Sequence, residues 1–387
     1  MEATATPGSQ AGLRRANRER VIEALRSSGT LTQAAIARAT GLSAASVSNI
    51  VRDLRAAGIV SVRDTSSSGR RARAVTLVRS PGMVLAVDFA HSRLTVALAD
   101  TQGRLLGEES IGYDVAGDPA RAVRRAVWLI DTMLIQQRIE RAMVSAVAAA
   151  VPGPIDPSTG EVGGITCMPR WAGARPGDEL AERLGLPITV DNDANLCVLA
   201  ESAEGAGRGL EHIIYVNLAQ GVGAGVMVSG KLFHGAGGTA GEIGHIGLDE
   251  RGEVCRCGNR GCLETFVGAP YLLSMLPQQG EVAPGAALTD LILAAEAGDP
   301  GCRRILAEAG SALGRGVAIT ANMFNPQLVI VGGELAVAGD LLMEPMRRAM
   351  ELGTLGSALR ELQVVRGELG GRAALRGALR LALASSK

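Results

Sequence analysis

Between Gly241 and Glu264 the chain reads GEIGHIGLDERGEVCRCGNRGCLE, and no other stretch narrows the possible folds as far. Cys255, Cys257 and Cys262 are spaced C-x-C-x4-C, separated by Arg, Gly and Asn, which suit a tight loop better than a helix or strand. With His245 they form a ligand set of three thiolates and one imidazole. Such a set fills a tetrahedral shell and leaves no position for an activated water, so a Zn2+ held here is structural and not catalytic. The alternative is free thiols in a surface loop, which seldom cluster three within eight residues.

Two carboxylates flank this set, Glu242 three residues before His245 and Glu264 two residues after Cys262. A metal-tied loop holds them in place, where they can accept bidentate hydrogen bonds from vicinal sugar hydroxyls. A metal-bound imidazole can also offer its second ring nitrogen. Spacing alone does not separate this reading from two solvated loop charges.

A chain of 387 residues exceeds one ordinary core, so two or three domains are expected. Hydrophobic residues at 47% with 51 glycines fit an α/β protein with many tight turns, and 2% aromatics make its core aliphatic. No apolar run reaches the roughly 18 residues that span a bilayer. The opening MEATATPGSQAG lacks a basic region followed by an apolar one, so no signal peptide and a cytoplasmic location are expected. Cys167, Cys197 and Cys302 lie among apolar neighbours and read as reduced core thiols. No internal repeat is visible.

The net charge of zero hides an asymmetry. Residues 1–80 hold 13 Arg and no Lys against five acidic residues, a surplus of eight, while the remainder holds 26 basic and 34 acidic residues. A basic head on an acidic body predicts that only the head meets a polyanion.

Residues 1–12 are small and polar and read as a disordered tail, followed by a DNA-binding domain over 13–78 and a linker over 79–82. Val21, Ile22 and Leu25 mark a first helix ended by Gly29. Thr32 can cap a second that runs to Gly41, and Val47, Ile50, Val51 and Leu54 set the buried stripe of a third from Ser43 to Ala57. This is a helix-turn-helix pattern. Ser43, Ser46, Ser48, Asn49 and Arg52 fall off the stripe, on the face a recognition helix presents to the major groove. Two β-prone runs, Ile59 to Arg63 and Ala74 to Val78, enclose DTSSSGRRAR, read as a wing whose flexible tip carries Arg70, Arg71 and Arg73. A basic loop is most often only solvated. Joined to a helix-turn-helix and the charge surplus it reads as a contact to a double-stranded DNA operator.

The body, residues 83–387, opens with a strand through Asp88, a second around Leu94 to Leu98 and a third after Gly103. An amphipathic helix over Pro119 to Gln137 and a buried parallel strand over Met143 to Val151 are expected next. Strand Ile188 to Val190 delivers Asp191, Asn192 and Asp193 to its C-terminal end, where ligands collect in α/β sheets. Asp193 can instead be a helix N-cap.

The order E-x-x-H-x9-C-x-C-G-x2-G-C-L-E, with VPGPID from Val151, DNDAN from Asp191, GVGAG from Gly221 and NPQLVIVGG from Asn325, resembles the ROK family of bacterial sugar kinases and sugar-responsive transcriptional repressors. The resemblance implies an α/β fold in which a winged helix-turn-helix precedes a two-lobed sugar kinase/actin-like (ribonuclease H-like) body. It implies zinc on His245, Cys255, Cys257 and Cys262, and sugar on Asn192, Asp193, Glu242, His245 and Glu264. In kinases of the family the turn after the first aspartate reads D-x-G-G-T, because phosphates need close backbone approach. Here it reads Asp88-Phe89-Ala90-His91-Ser92, and the second phosphate loop has Ala219-Gln220 in place of G-T. Cys167 stands where the family often has an asparagine, on one rim of the sugar pocket.

The reading is therefore a transcriptional regulator, repressor in type, of carbohydrate genes. It answers to a monosaccharide or sugar derivative and acts as a homodimer or homotetramer, since paired heads match palindromic sites. The alternatives are an active sugar kinase with an appended DNA-binding domain, in which Asp193 is the general base, and a zinc-stabilised DNA-binding protein with a vestigial sugar site.

Overall fold

The computed structural model describes residues 17–386 apart from 19, 23, 26, 27, 57, 58, 68, 69, 78–81, 165, 166 and 277–285. The chain divides into two compact units, Met1–Gly82 and Met83–Lys387. The expected tail over 1–12 and linker residues 79–81 lie outside the described residues. Among the described residues no helix is long and apolar enough to cross a membrane.

In the first unit the described residues between 17 and 25 are helical, followed by strand β1 (Leu31–Thr32) and helices α1 (Gln33–Thr40) and α2 (Ala44–Ala56). The Thr32 hydroxyl accepts the Ala35 amide at 3.2 Å and starts α1, and Gly41, at φ 67°, ends it and turns the chain into α2. Val21, Leu25, Ile36, Val47, Val51 and Leu54 close a small core with Val60 and Val75. Each such aliphatic side chain contributes about 1.5–3 kcal/mol on burial. Strands β2 (Val60–Ser67) and β3 (Arg70–Leu77) pair antiparallel, and β1 adds to β3. This hairpin is the expected wing, with its extent corrected. Pairing continues to Ser67↔Arg70, so Arg70, Arg71 and Arg73 stand in a strand and not in a flexible tip loop. Ser66 and Ser67 and the arginines opposite them complete backbone ladder bonds despite a polar composition that reads as loop.

The second unit holds two five-stranded sheets on one plan. In the first, β4 (Met83–Ala90), β5 (Arg93–Asp100) and β6 (Leu105–Gly112) are antiparallel, and β7 (Val144–Val151) and β8 (Ile188–Asn192) add in parallel. In the second, β9 (Ile213–Leu218), β10 (Val222–Val228) and β11 (Lys231–Leu232) are antiparallel, and β12 (Leu328–Gly332) and β13 (Gln363–Arg366) add in parallel. The sequence shows no repeat because the duplication is one of hydrogen-bond topology, which many different aliphatic strands can satisfy.

Alternation within the strands assigns their faces. On the first sheet Leu85, Val87 and Phe89 pack under α3 (Pro119–Gln137) and α4 (Pro176–Leu184), while Val84, Ala86, Ala148 and Ala150 face α5 (Asp193–Glu204) and α9 (Ala373–Ser385). On the second sheet Ile213, Tyr215 and Ile330 also meet α5 and Ala373. Ile214, Val216 and Val329 face α6 (Leu288–Ala297), α7 (Pro300–Phe324) and α8 (Asp340–Gly353). Helices α5 and α9 thus lie between the two lobes. They cross so closely that a Cβ on Gly377 would lie 1.9 Å from the Leu196 carbonyl oxygen. The first turn of α5 and the loops at the same end of the second sheet form the cleft.

Candidate effector cleft, metal centre and nucleic-acid interface

The cysteine loop is a small irregular hairpin. The Leu248 amide donates to Gly261 O and the Leu263 amide to Ile246 O, each at 2.8 Å. The Cys255 amide reaches Asn259 O at 2.7 Å and the Gly258 amide reaches Cys255 O at 2.9 Å, which folds Cys257 back towards its neighbours. As a result the ligand atoms of His245, Cys255, Cys257 and Cys262 all lie within 4.8 Å of one another. Cys257 Sγ is 3.6 Å from Cys262 Sγ, and Cys255 Sγ is 3.5 Å from His245 Nδ1. A tetrahedron with thiolate arms of about 2.3 Å has edges of about 3.8 Å, shorter where an imidazole supplies one corner. The four residues fit that shell.

The imidazole divides its work. Nδ1 faces the thiols, and Nε2 lies 3.8 Å from Glu242 Oε2, on the cleft side. Burial, then the charges of Asp193 and Glu264, push the Glu242 carboxyl up to about 7. Glu264 is 8% exposed; its Oε2 accepts the Val222 amide at 3.1 Å and pairs with the Arg256 guanidinium. Glu264 is therefore a buried anchor between the cysteine loop and β10 as well as a cleft carboxylate. Gly221 leaves room for both partners, since a Cβ there would lie 2.6 Å from Glu264 Oε2 and 2.8 Å from an Arg256 nitrogen.

The opposite wall is the start of α5. Asn192, and not Asp193, is its N-cap: Asn192 Oδ1 accepts the amides of Ala194 at 2.8 Å and Asn195 at 3.2 Å. Its Nδ2 donates to Gly153 O at 2.9 Å, which leaves one N–H for a ligand. Asp193 accepts the Ala194 backbone amide on Oδ1 and the Asn217 side-chain Nδ2 on Oδ2, both at 2.9 Å. Burial, and then the charge of Asp88, raises its carboxyl to about 7. Asp193, Glu242, His245 and Glu264 thus converge, as their positions in sequence do not reveal, and Asn192 stands beside Asp193 at the head of α5. Sequence reasoning missed Arg256, read only as a loop former between two ligands, and Asn217, in the middle of an apolar strand. Cys167 also lies here, its thiol pushed up to about 12 by burial and by the charge of Asp193.

The segment where kinases cradle phosphates is built differently. Ala90↔Arg93 closes a two-residue turn, and the His91 carbonyl accepts the Val115 and Ala116 amides at 3.2 and 3.3 Å. Asp88, 4% exposed, is raised to about 6 by burial.

In the first unit Ser48, Asn49 and Arg52 are exposed on α2, opposite Val47, Val51 and Leu54. Ser43 is committed locally: its hydroxyl accepts the Ser46 amide at 3.1 Å and meets the Ser46 hydroxyl at 2.9 Å. Arg73 is exposed on β3.

Comparison with known sequences matches the ROK family over residues 84–385 and the MarR family over residues 16–71. The chain is 27% identical to the xylose repressor of Caldicellulosiruptor bescii, covering 97% of both chains. It is 30% identical to the DNA-binding transcriptional dual regulator NagC of Escherichia coli (strain K12), over 96% of this chain and 94% of the relative. Among solved structures, a ROK family transcriptional regulator described as a homolog of the E. coli MLC protein superposes with a TM-score of 0.78 at 25% identity, covering 97% of each chain.

Proposed function

Because the chain belongs to the ROK family, we propose that it is a DNA-binding transcriptional repressor of carbohydrate genes, controlled by a monosaccharide or sugar derivative bound in the cleft. The observation that carries this reading is the full-length likeness to repressors, through a helix-turn-helix unit and a cleft that gathers Asp193, Glu242, His245 and Glu264. Zn2+ on His245, Cys255, Cys257 and Cys262 holds the cleft carboxylates in place and takes no part in bond chemistry. Ser48, Asn49 and Arg52 on α2 read the operator, Ser43 and Ser46 set the start of that helix, and Arg70, Arg71 and Arg73 meet phosphates. Two copies, as a dimer or within a tetramer, present paired heads to a palindrome. The DNA-binding domain over 13–78, the linker over 79–82 and the sugar-binding body over 83–387 are the working divisions. A sugar acts only through its differential affinity for the cleft states, and that difference sets the change in operator affinity. Operator binding with and without D-xylose, D-glucose and N-acetylglucosamine tests this; unchanged affinity after removal of residues 1–82 would end it.

Glu242 is the carboxylate to probe, because it is partly exposed and meets His245 Nε2 only at 3.8 Å, whereas Glu264→Ala would also strand the Arg256 guanidinium and the Val222 amide. Glu242→Ala is expected to cost sugar affinity about 1–3 kcal/mol while leaving sugar-free operator binding intact. A sugar titration with an unaltered dissociation constant would place the ligand elsewhere.

No sugar kinase activity is expected. The His91–Ser92 turn sets side chains and committed carbonyls where phosphates need bare backbone amides. A coupled assay that finds sustained, sugar-dependent ADP release from pure protein would overturn this.

A further inference from the structure

Residues 234–241 form a strap fixed to the second lobe at both ends. Before it, the Phe233 amide donates to Val226 O at 2.8 Å and the Phe233 ring meets Phe324 of α7 edge-on at 6.3 Å. At its end Gly241 O accepts the Ala224 amide at 2.7 Å. Its middle crosses to the first lobe. Gly238, at φ 75°, runs so close to Ile155 that a Cβ would lie 2.0 Å from the Ile155 carbonyl oxygen. His234 Nε2 lies 2.8 Å from Asp191 Oδ2 at the end of β8.

Asp191 is 8% exposed, and its Oδ1 accepts the Asn192 amide at 2.7 Å and Asn195 Nδ2 at 2.9 Å. The carboxylate that His234 holds therefore shapes the first turn of α5, which carries Asn192 and Asp193. The residue after the strap is Glu242. One side-chain pair thus joins the lobes where the two walls of the cleft meet.

We propose that His234 is a positioning residue and a proton-operated latch: its imidazolium, paired with Asp191, holds the strap on the first lobe and favours the closed cleft. The link to sugar rests on the effector reading above; the latch itself does not. Asp191 on β8 is the charged group that acts on His234, and its hydrogen bond raises the imidazole from its ordinary value. Asp193 at the head of α5 and Glu242 beyond the strap titrate nearby but do not act on His234. A group raised in the paired state is charged, and the latch held, at low pH; the contribution fades as pH rises through the raised value. Ionisation of Asp193 and Glu242 has the opposite effect on sugar binding, because it creates acceptors.

The test uses the full-length protein and His234→Gln, which keeps a donor towards Asp191 but cannot titrate. In the sugar-free proteins, hydrogen exchange at strap amides such as Ala240, corrected for chemical rates, is compared at about pH 6 and about pH 8.5. Wild-type protection is expected to fall several-fold across that range and the variant's to stay level; a level wild type overturns the latch. Titrations with D-xylose, D-glucose and N-acetylglucosamine follow. The ratio of dissociation constants, His234→Gln over wild type, cancels Asp193 and Glu242 and is expected to fall about three- to fivefold from low to high pH. A flat ratio separates the strap from sugar binding and overturns its part in the cleft. If no sugar binds while wild-type strap protection still varies with pH, the effector reading fails and the latch stands.

Discussion

Replacing Cys262 with serine is expected to remove the metal and, with it, the sugar response. The thiol is fully buried, and its carbonyl accepts both the Thr265 amide and the Thr265 hydroxyl at 2.8 Å, starting the turn that carries Glu264. Zinc bound by such a ligand set contributes on the order of 10 kcal/mol to small domains, and losing a few kcal/mol suffices to free a loop without a core of its own. Release of the loop would cut the Glu264–Arg256 pair, unhook the Val222 amide and free Glu242 and His245 together. Elemental analysis should find about one zinc per wild-type chain and none in the variant, and calorimetric titration should show sugar binding lost. A metal-free variant that binds sugar as tightly as wild type would sink the argument.

The second large effect is on DNA. Asn49 is exposed on α2 one position beyond the Val47 stripe's polar edge, and an asparagine amide can bond bidentately to an adenine edge. Asn49→Ala should weaken the operator complex by about 1–3 kcal/mol while leaving scrambled DNA almost unaffected. Arg73→Ala should weaken both about equally and lower the salt dependence by about one phosphate's share. Arg52 is a poorer probe because its guanidinium lies 3.4 Å from Asp53. Fluorescence anisotropy on both DNAs over a salt series is the measurement. Equal losses on operator and scrambled DNA for Asn49→Ala would reassign it to the backbone.

What could be read in the sequence was what is local. The four residues that could hold a metal lie within one loop, so spacing alone brought them together, and the stripe from Val47 to Leu54 set the buried face of α2. Pro119–Gln137 carried its helix period openly. What stayed hidden depends on partners far apart along the chain. Asn217 reaches Asp193 across 24 positions and His234 reaches Asp191 across 43, with no pattern to announce either. The Asn192 cap was missed because either residue of the Asn-Asp pair can cap, and only backbone geometry chooses. The wing was legible as a hairpin, but its strands were read too short: serine and arginine disfavour strands on average, and the ladder overrides propensity once register is fixed by Val62↔Val75.

The 3.6 Å between Cys257 Sγ and Cys262 Sγ also has a redox consequence. Two thiols that close need little backbone movement to form a disulfide of about 2.05 Å, so a metal held by them would act as a protecting group as well as a brace. A chain that loses zinc in air would oxidise at this pair first, and the bond formed would bar the metal's return until a thiol reductant opens it. Repression would then depend on the thiol poise around the protein as well as on sugar, and activity lost on aerobic storage should return with reductant and zinc together but with neither alone.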